Sequence, residues 1–273
     1  LGPGTFDLNS RAINLIIPIT IIGSGTSTLV KNNNNNNKGY TTFNLQSGNV
    51  HFKDLSIDGY YPVNVLVNGN YTNITFWNVA STGEVSADFL VTSITFDGKV
   101  QAKFFSCNLK STWDILAGND LEVEVYNSNL EGGSGTSSVI NLLSGNNIKI
   151  FGGKIQGAIG VQIQNAVNTV EYYNVWSNTT LGDFYNPIGS NTIRVIGGRG
   201  SGTNGEFNVS RGIIKYTDMK FNNITVGNIT VGNLINLSLT TIQACDSTTN
   251  RTIQANASGV YGCNNTGSWV KIF

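Results

Sequence analysis

The central part of the chain contains eight short segments in which apolar, polar and apolar residues follow one another. Successive side chains of a β-strand point to opposite faces, so this alternation predicts strands with one buried face. The second apolar residue of each segment, here called the anchor, recurs about every 23 residues, and a repeat of that length indicates a solenoid. The anchors are Phe52, Phe76, Phe104, Val125, Ile150, Tyr172, Val195 and Tyr216.

The polar residues directly before the anchors alternate in charge over most of the repeat. Equivalent residues of neighbouring parallel strands lie about 4.8 Å apart, so opposite charges would meet along the outer face. Each exposed pair contributes only about 0–1 kcal/mol, but the alternation supports the strand register. These residues are Lys103, Glu124, Lys149, Glu171, Arg194 and Lys215.

Two residues after each anchor stands a residue that tolerates a left-handed backbone or favours turns. A second short apolar strand follows, marked by Ile57, Leu109, Leu130, Ile155 and Phe221. A strand, a corner and a second strand together describe one coil of a parallel β-helix. The corner residues are Asp54, Asn78, Ser106, Asn127, Gly152, Asn174, Gly197 and Asp218.

This arrangement resembles the right-handed, pectate-lyase-like, single-stranded parallel β-helix superfamily. Pro-Gly-Thr-Phe-Asp-Leu at 3–8 and Phe-Lys-Asp-Leu-Ser-Ile-Asp-Gly at 52–59 look typical of it. The resemblance implies an all-β fold of about eight or nine coils, followed by a short β neck and a small β tip. The superfamily includes lyases, hydrolases, adhesins and viral tailspikes, so the fold alone does not settle the function.

The pattern divides the chain into four parts. Residues 1–47 form the entry and the first coil, in which Ile21 lies one long turn before Phe52 and the run Asn32–Asn37 is a solvated loop. Residues 48–221 form the β-helix, 222–241 the neck and 242–273 the tip.

After Phe221 the repeat shortens to five residues, Asn-Ile-Thr-Val-Gly, which is too short to complete a coil. It resembles the repeats in the necks of trimeric phage and viral fibres, where three chains wrap together. The resemblance implies that three copies bury Ile224, Val226, Ile229, Val231 and Leu234. The alternative is a β-hairpin folded back on the end of the helix.

The three cysteines fall into two groups. Cys107 lies next to apolar strand positions and is expected in the core. Cys245 and Cys263 stand in a hydrophilic tail without further Cys or His, so a disulfide is expected rather than zinc, which indicates an extracellular destination. With Trp269, the tail resembles disulfide-pinned β modules of phage fibres and pilus-tip adhesins.

Composition excludes several classes of function. The net charge is +0 and only 12% of residues are charged, without a basic stripe, so we expect no nucleic-acid partner. No apolar run reaches the roughly 18 residues that a membrane span needs. Without an initiator Met or a signal-peptide pattern, the chain is interpreted as processed or as a fragment.

Enzymes on this fold need clustered carboxylates for calcium or for acid–base chemistry. The candidates here are Asp54, Asp58, Asp114 and Asp120. Asp54 and Asp58 are better explained as a turn residue and a loop residue, and Asp114 and Asp120 flank a loop. The sole histidine, His51, falls on the outward column and is expected to be solvated. The sequence shows no metal-binding spacing and no cofactor motif, so neither is expected.

The residues directly after the anchors include five successive aromatics, Trp77, Phe105, Tyr126, Phe151 and Tyr173. Strand parity places them outward, where they form an apolar ridge too large for a free surface. They are interpreted as a lateral interface between three β-helices. The alternatives are a platform for sugar rings, or a shift of parity that turns the column inward.

Together these patterns favour a non-enzymatic, homotrimeric fibre or spike head on a virus or phage. Its partners would be itself, other virion proteins and a host surface glycan or receptor, and it would lie at the virion surface. The alternatives are a polysaccharide-degrading tailspike, with lyase or glycosidase activity, and a cellular adhesin or purely structural virion component.

Overall fold

The computed structural model describes residues 1–32, 41–46, 48–59, 61–65, 72–81, 87–91, 100–111, 113–119, 121–132, 138–165, 168–186, 191–201, 207–209, 214–217, 253–256, 259–263 and 269–271. The chain divides into two compact units, Leu1–Asn223 and Ile224–Phe273.

The first unit is built from parallel strands joined by corners and loops. Its one described helix is a single 3-10 turn, Gly25–Ser27. The strands are β1 (Gly4–Asp7), β2 (Ile13–Leu15), β3 (Ile19–Ile22), β4 (Thr28–Lys31), β5 (Thr41–Leu45), β6 (Val50–Asp58), β7 (Tyr61–Val65), β8 (Thr72–Ser81), β9 (Ala87–Val91), β10 (Val100–Phe105), β11 (Asn108–Ser111), β12 (Trp113–Asn119), β13 (Leu121–Tyr126), β14 (Asn129–Gly132), β15 (Ser138–Ser144), β16 (Asn147–Phe151), β17 (Lys154–Ile163), β18 (Thr169–Tyr173), β19 (Trp176–Tyr185), β20 (Thr192–Ile196) and β21 (Ile214–Thr217).

The anchors lie opposite one another in successive strands of one parallel sheet, here called the first face. Ile21 pairs with Phe52, and the series continues without a slip of register to Tyr216. The prediction of eight stacked anchors, with Ile21 one turn before Phe52, is therefore confirmed. A one-residue slip would have moved every apolar side chain to the opposite side of the sheet.

Two further parallel faces complete each turn. The second face contains β1, β4, β11, β14, the last part of β6 and β8, and the first part of β17 and β19. The third contains β2, β5, β7, β9, β12, β15 and the ends of β17 and β19. This architecture is an all-β parallel solenoid.

The core fills the space inside the three faces. Phe52, Phe76 and Phe104 stack with ring centroids 5.2 and 4.6 Å apart and nearly parallel planes. Ile57 and Leu109, from the predicted second strands, are buried beside them, as expected. Cys107 is also buried and free, which confirms its assignment to the core.

The corner between the first and second faces has the left-handed backbone that the sequence predicts. Its φ angle is +53° at Asp54, +45° at Asn127 and +66° at Gly152 and Gly197. Gly adopts this conformation freely and Asn and Asp tolerate it, whereas most other residues pay about 1–2 kcal/mol for it. The predicted turn residues from Asp54 to Gly197 are thus explained by one repeated backbone conformation, and Asp218 lies outside the described residues.

A column of asparagines, here called the asparagine ladder, lies inside the solenoid just before the strands of the first face. Asn146, Asn168 and Asn191 are buried, and each carbonyl oxygen accepts a hydrogen bond from the backbone N–H one level earlier, over 2.8–3.1 Å. These bonds satisfy buried backbone donors at the start of the strands of the first face.

The poly-asparagine run departs from its prediction at its first residue. The side chain of Asn32 is buried, and its amide donates a hydrogen bond to the carbonyl oxygen of Thr41 at 2.7 Å. Asn32 is therefore not part of a solvated loop. Its hydrogen bond joins the two ends of the connection between β4 and β5. Residues 33–40 lie outside the described part of the chain.

The described residues of the second unit form three antiparallel strands, β22 (Ile253–Asn256), β23 (Gly259–Cys263) and β24 (Trp269–Lys271). Cys263 belongs to β23, whereas Cys245 lies outside the described residues, so their disulfide stays a prediction. Across the described ranges of both units, no helix has the length and apolar character to cross a membrane. The proposed neck residues Ile224, Val226, Ile229, Val231 and Leu234 also fall outside the described residues.

Candidate functional site

The five outward aromatics form one continuous stack on the first face, here called the aromatic ladder. Successive ring centroids are 4.6, 4.8, 4.8 and 4.6 Å apart from Trp77 to Tyr173. The Trp77 side chain is 50% exposed, and the other four are partly buried. The column therefore points outward, and the alternative in which it turns inward is wrong.

The orientation of the rings limits what the ladder can bind. Planes of successive rings differ by only 5–27°, so each inner ring is covered on both faces by its neighbours. Phe105, Tyr126 and Phe151 thus present ring edges, not ring faces, to the outside. A sugar that stacks on an aromatic residue needs a free ring face, whereas a protein surface can pack against ring edges.

A row of charged residues runs beside the aromatic ladder. Lys103 Nζ lies 2.9 Å from Glu124 Oε2, and Glu171 pairs with both Lys149, at 3.8 Å, and Arg194, at 2.7 Å. The predicted alternation of charge thus produces ion pairs between neighbouring strands. The hydrogen bond from Lys103 is the main cause that lowers the pKa of Glu124 below its ordinary value.

The two tyrosines of the ladder connect it to the charged row. The Tyr126 hydroxyl donates a hydrogen bond to Glu124 Oε2 at 3.0 Å, and that of Tyr173 donates one to Glu171 Oε2 at 3.1 Å. Burial raises the pKa of both phenols, and the acceptor carboxylates raise it further. The two rows form one hydrogen-bonded surface.

The structure does not gather the three described candidate carboxylates into one site. Asp54 stands at a left-handed corner, where its Oδ1 accepts a hydrogen bond of 2.8 Å from the Asn78 amide. Asp58 follows four residues later, at the end of β6, and Asp114 is buried in β12 on the third face. Asp120 lies outside the described residues.

The described part of the chain contains no cluster of side chains that could bind a metal ion. No set of three or more His, Cys, Asp or Glu side chains lies close enough there to hold an ion. His51 is exposed, as expected for the outward column, and its strand neighbours in register are Thr20 and Thr75.

One buried carboxylate escaped the sequence reasoning. Asp183 is fully buried, and its Oδ1 accepts hydrogen bonds from the hydroxyls of Ser177 and Thr179. Its Oδ2 accepts from the backbone N–H of Ser201 at 3.1 Å, from the Ser201 hydroxyl at 2.9 Å and from the Asn208 N–H at 2.9 Å. Ser201 and Asn208 are remote from Asp183 in sequence, so their contacts could not be predicted. The only sequence signal for a buried Asp183 was the pair Ser177 and Thr179, which stand at alternate positions of the same strand.

A groove of about 600 Å³ lies beside this carboxylate, on the third face. We call it the Tyr185 groove. Its apolar wall consists of Ile159, Leu181, Phe184 and Val209. Its other described lining residues are Gln162, Gly182, Tyr185 and Asn208.

Comparison with known proteins adds little to these observations. No protein-family model matches the chain, and no curated protein sequence matches it. The crystal structure of the bacteriophage CBA120 tailspike protein 3 is similar at 14% sequence identity, with a TM-score of 0.31. That similarity covers 98% of this chain, which spans 62% of the tailspike chain. At this low score the function has to be argued from the residues of this chain.

Proposed function

We propose that this protein is a non-enzymatic attachment head at the surface of a virus or phage, assembled as a homotrimer. The observation that supports the proposal best is the aromatic ladder with its adjoining charged row. The ladder spans five levels of a regular parallel sheet, a rigid surface about 19 Å long at a spacing of about 4.8 Å per strand.

The ladder suits a protein partner better than a sugar. Aromatic residues are enriched in the buried centres of protein interfaces, and the rings here offer edges that a neighbouring subunit can cover. Since Tyr126 and Tyr173 already donate their hydroxyl hydrogens to carboxylates of the same chain, the partner would need to satisfy few polar groups. We therefore assign the ladder to the lateral contact between three solenoids.

The remaining features of the proposal follow from the sequence patterns. The solenoid would be right-handed and pectate-lyase-like, with eight or nine coils. Residues 222–241 would form the trimerising neck, and a disulfide between Cys245 and Cys263 would pin the tip. The exposed parts of the trimer would contact a host surface glycan or receptor, and other virion proteins would hold its opposite end.

Light scattering after size exclusion tests the assembly. One chain has a mass of 29.3 kDa, so a trimer would have 3 × 29.3, about 88 kDa. The double variant Tyr126→Ser and Phe151→Ser should dissociate the trimer, because it removes two neighbouring rings from the contact. Trp176→Ala is the matched control, since this aromatic side chain is 51% exposed on the second face and lies off the ladder.

Two results would overturn the proposal. A native protein that stays a monodisperse monomer at micromolar concentration contradicts the homotrimer. New reducing ends or unsaturated products on a surface polysaccharide, after incubation with the native protein, contradict the non-enzymatic assignment.

A further inference from the structure

The described lining of the Tyr185 groove contains no charged side chain. The polar side chains among its described lining residues are the phenol of Tyr185 and the amides of Gln162 and Asn208. The volume of about 600 Å³ lies within the range of about 300–1,000 Å³ that is usual for small-molecule sites. A ligand with a net charge would find no partner of opposite sign among these residues.

Tyr185 differs from the tyrosines of the aromatic ladder in the exposure of its ring. Its side chain is 42% exposed, and within the described part of the chain no other ring stacks on it. In the strand register it lies next to Gln162, so an aromatic ring and a primary amide stand side by side on the same face. A free aromatic face attracts the apolar face of a flat ligand.

The two amides supply hydrogen bonds of both kinds. Each primary amide carries two N–H donors and one carbonyl acceptor, although the Asn208 amide already donates a hydrogen bond to Ser201 Oγ at 3.5 Å, and the remaining groups suit a ligand with many hydroxyl groups. The neighbouring apolar residues Leu181 and Val209 would contact the C–H groups of the same ligand. Neutral sugars combine apolar C–H faces with a rim of hydroxyls that both donate and accept.

The buried Asp183 holds the far wall of the groove in place. It accepts hydrogen bonds from the N–H of Asn208 and from Ser201, and the N–H of Phe184 donates to the carbonyl oxygen of Asn208 at 2.9 Å. The segment that carries Asn208 and Val209 is therefore fixed to β19 before any ligand arrives. A preformed site loses less conformational entropy on binding.

We propose that the Tyr185 groove binds an uncharged saccharide unit of a surface glycan, stacked on Tyr185 and hydrogen-bonded to Gln162 and Asn208. This inference rests on the proposed function in attachment. It separates the roles of the two aromatic surfaces, because the groove would contact the glycan while the aromatic ladder contacts sister subunits.

A glycan microarray that carries neutral and acidic oligosaccharides is the first probe, applied to the full chain in its native assembly. The strongest neutral oligosaccharide is then titrated by calorimetry. Tyr185→Ala and Gln162→Ala should each weaken binding about tenfold or more, because each removes one principal contact. Tyr185→Phe should keep most of the affinity, since it retains the aromatic face.

Two control variants locate the binding site. Trp176→Ala removes an exposed aromatic residue outside the groove. Lys154 Nζ lies 4.8 Å from the centroid of the Trp176 ring. Phe6→Ala removes another exposed aromatic residue, on β1 of the second face, outside both the groove and the aromatic ladder. Both should leave glycan affinity unchanged, and light scattering verifies the assembly of every variant.

Several outcomes would overturn the inference, and they can be told apart from failure of the attachment function. Equal glycan affinity in native protein and Tyr185→Ala would rule out the groove while attachment through glycans stands. Preference for acidic glycans, or no glycan bound at all, would rule out a neutral saccharide. Protease-sensitive, periodate-resistant adsorption to host cells would replace the saccharide with a protein receptor while attachment still stands.

Discussion

The hydroxyl of Tyr173 donates a hydrogen bond to Oε2 of Glu171, with 3.1 Å between the two oxygens. The same carboxylate pairs with Arg194 through Oε1, so one glutamate joins the aromatic ladder to the charged row. Tyr126 and Glu124 repeat this relationship two levels earlier on the first face. The outer surface of the first face is thus ordered by the chain itself, before any partner is added.

The Glu124 carboxylate should make stability depend on acid pH. Its pKa is lowered chiefly by the hydrogen bond from Lys103, so its contribution is present above the ordinary glutamate pKa of 4.5 and is lost as pH falls through the lower, folded value. Urea unfolding over a pH series should show that the stability gap between native protein and Glu124→Gln, under about 1 kcal/mol, closes in acid. High salt at neutral pH should shrink the same gap, because it screens exposed ion pairs. A gap independent of both pH and salt would contradict the assignment.

The corner at Gly152 should disfavour alanine. Its φ is +66°, and a Cβ there would collide with Oδ1 of Asn127 in the level before. Gly152→Ala should lower the unfolding free energy by more than about 2 kcal/mol, of which about 1–2 reflects the left-handed backbone. In the Asn127→Gly background the same change should be less destabilising, since the colliding atom is gone. Equal losses in both backgrounds, measured by chemical denaturation, would show that the collision does not contribute.

The buried asparagine ladder should depend on Asn168. Its Oδ1 accepts from the N–H of Asn146 at 3.0 Å, and its amide donates to the carbonyl oxygens of Leu143 and Asn165. Asn168→Ala leaves these buried groups without this partner, at about 1–3 kcal/mol for each group, so we expect a loss of about 3 kcal/mol or more. Asn165→Ala is the control, because that side chain is exposed and should change stability by no more than about 0.5 kcal/mol. Similar denaturation midpoints for the two variants would count against the ladder.

Asp183 should be the most sensitive carboxylate of the described chain. Asp183→Ala leaves a set of buried hydroxyl and N–H donors without their acceptor, at about 1–3 kcal/mol for each group, so we expect a loss of about 3 kcal/mol or more in unfolding free energy. Asp183→Asn should lose less, because one oxygen acceptor remains. Asp7→Asn provides the comparison, since its carboxylate is an exposed partner of Lys31, at 3.2 Å. If both aspartate-to-asparagine variants unfold alike, the buried cluster does not hold the segment that ends at Asn208 and Val209.

The candidate site was only partly accessible from the sequence. The outward position of the aromatic column follows from strand parity, but the angle between the rings depends on the spacing of the levels. Because successive rings are nearly parallel, neighbouring rings cover both faces of Phe105 and Phe151. Asp54 and Asp58 were the nearest approach to a carboxylate pair in the sequence, yet Asp54 stands at a corner and Asp58 at the end of β6, and Asp114 lies on the third face.

For the first face, the sequence by itself determined the strands, their register and the corners that follow them. Period-two alternation and tolerance of a left-handed backbone are local properties, so they can be recognised without the tertiary structure. The asparagine ladder was also present in the repeat, since Asn146, Asn168 and Asn191 all precede their anchors by four residues, although it was not recognised there. Only the tertiary structure brought Ser201 and Asn208 to Asp183 and formed the Tyr185 groove. Those contacts join segments from different turns, and the loops between them carry no periodic signal.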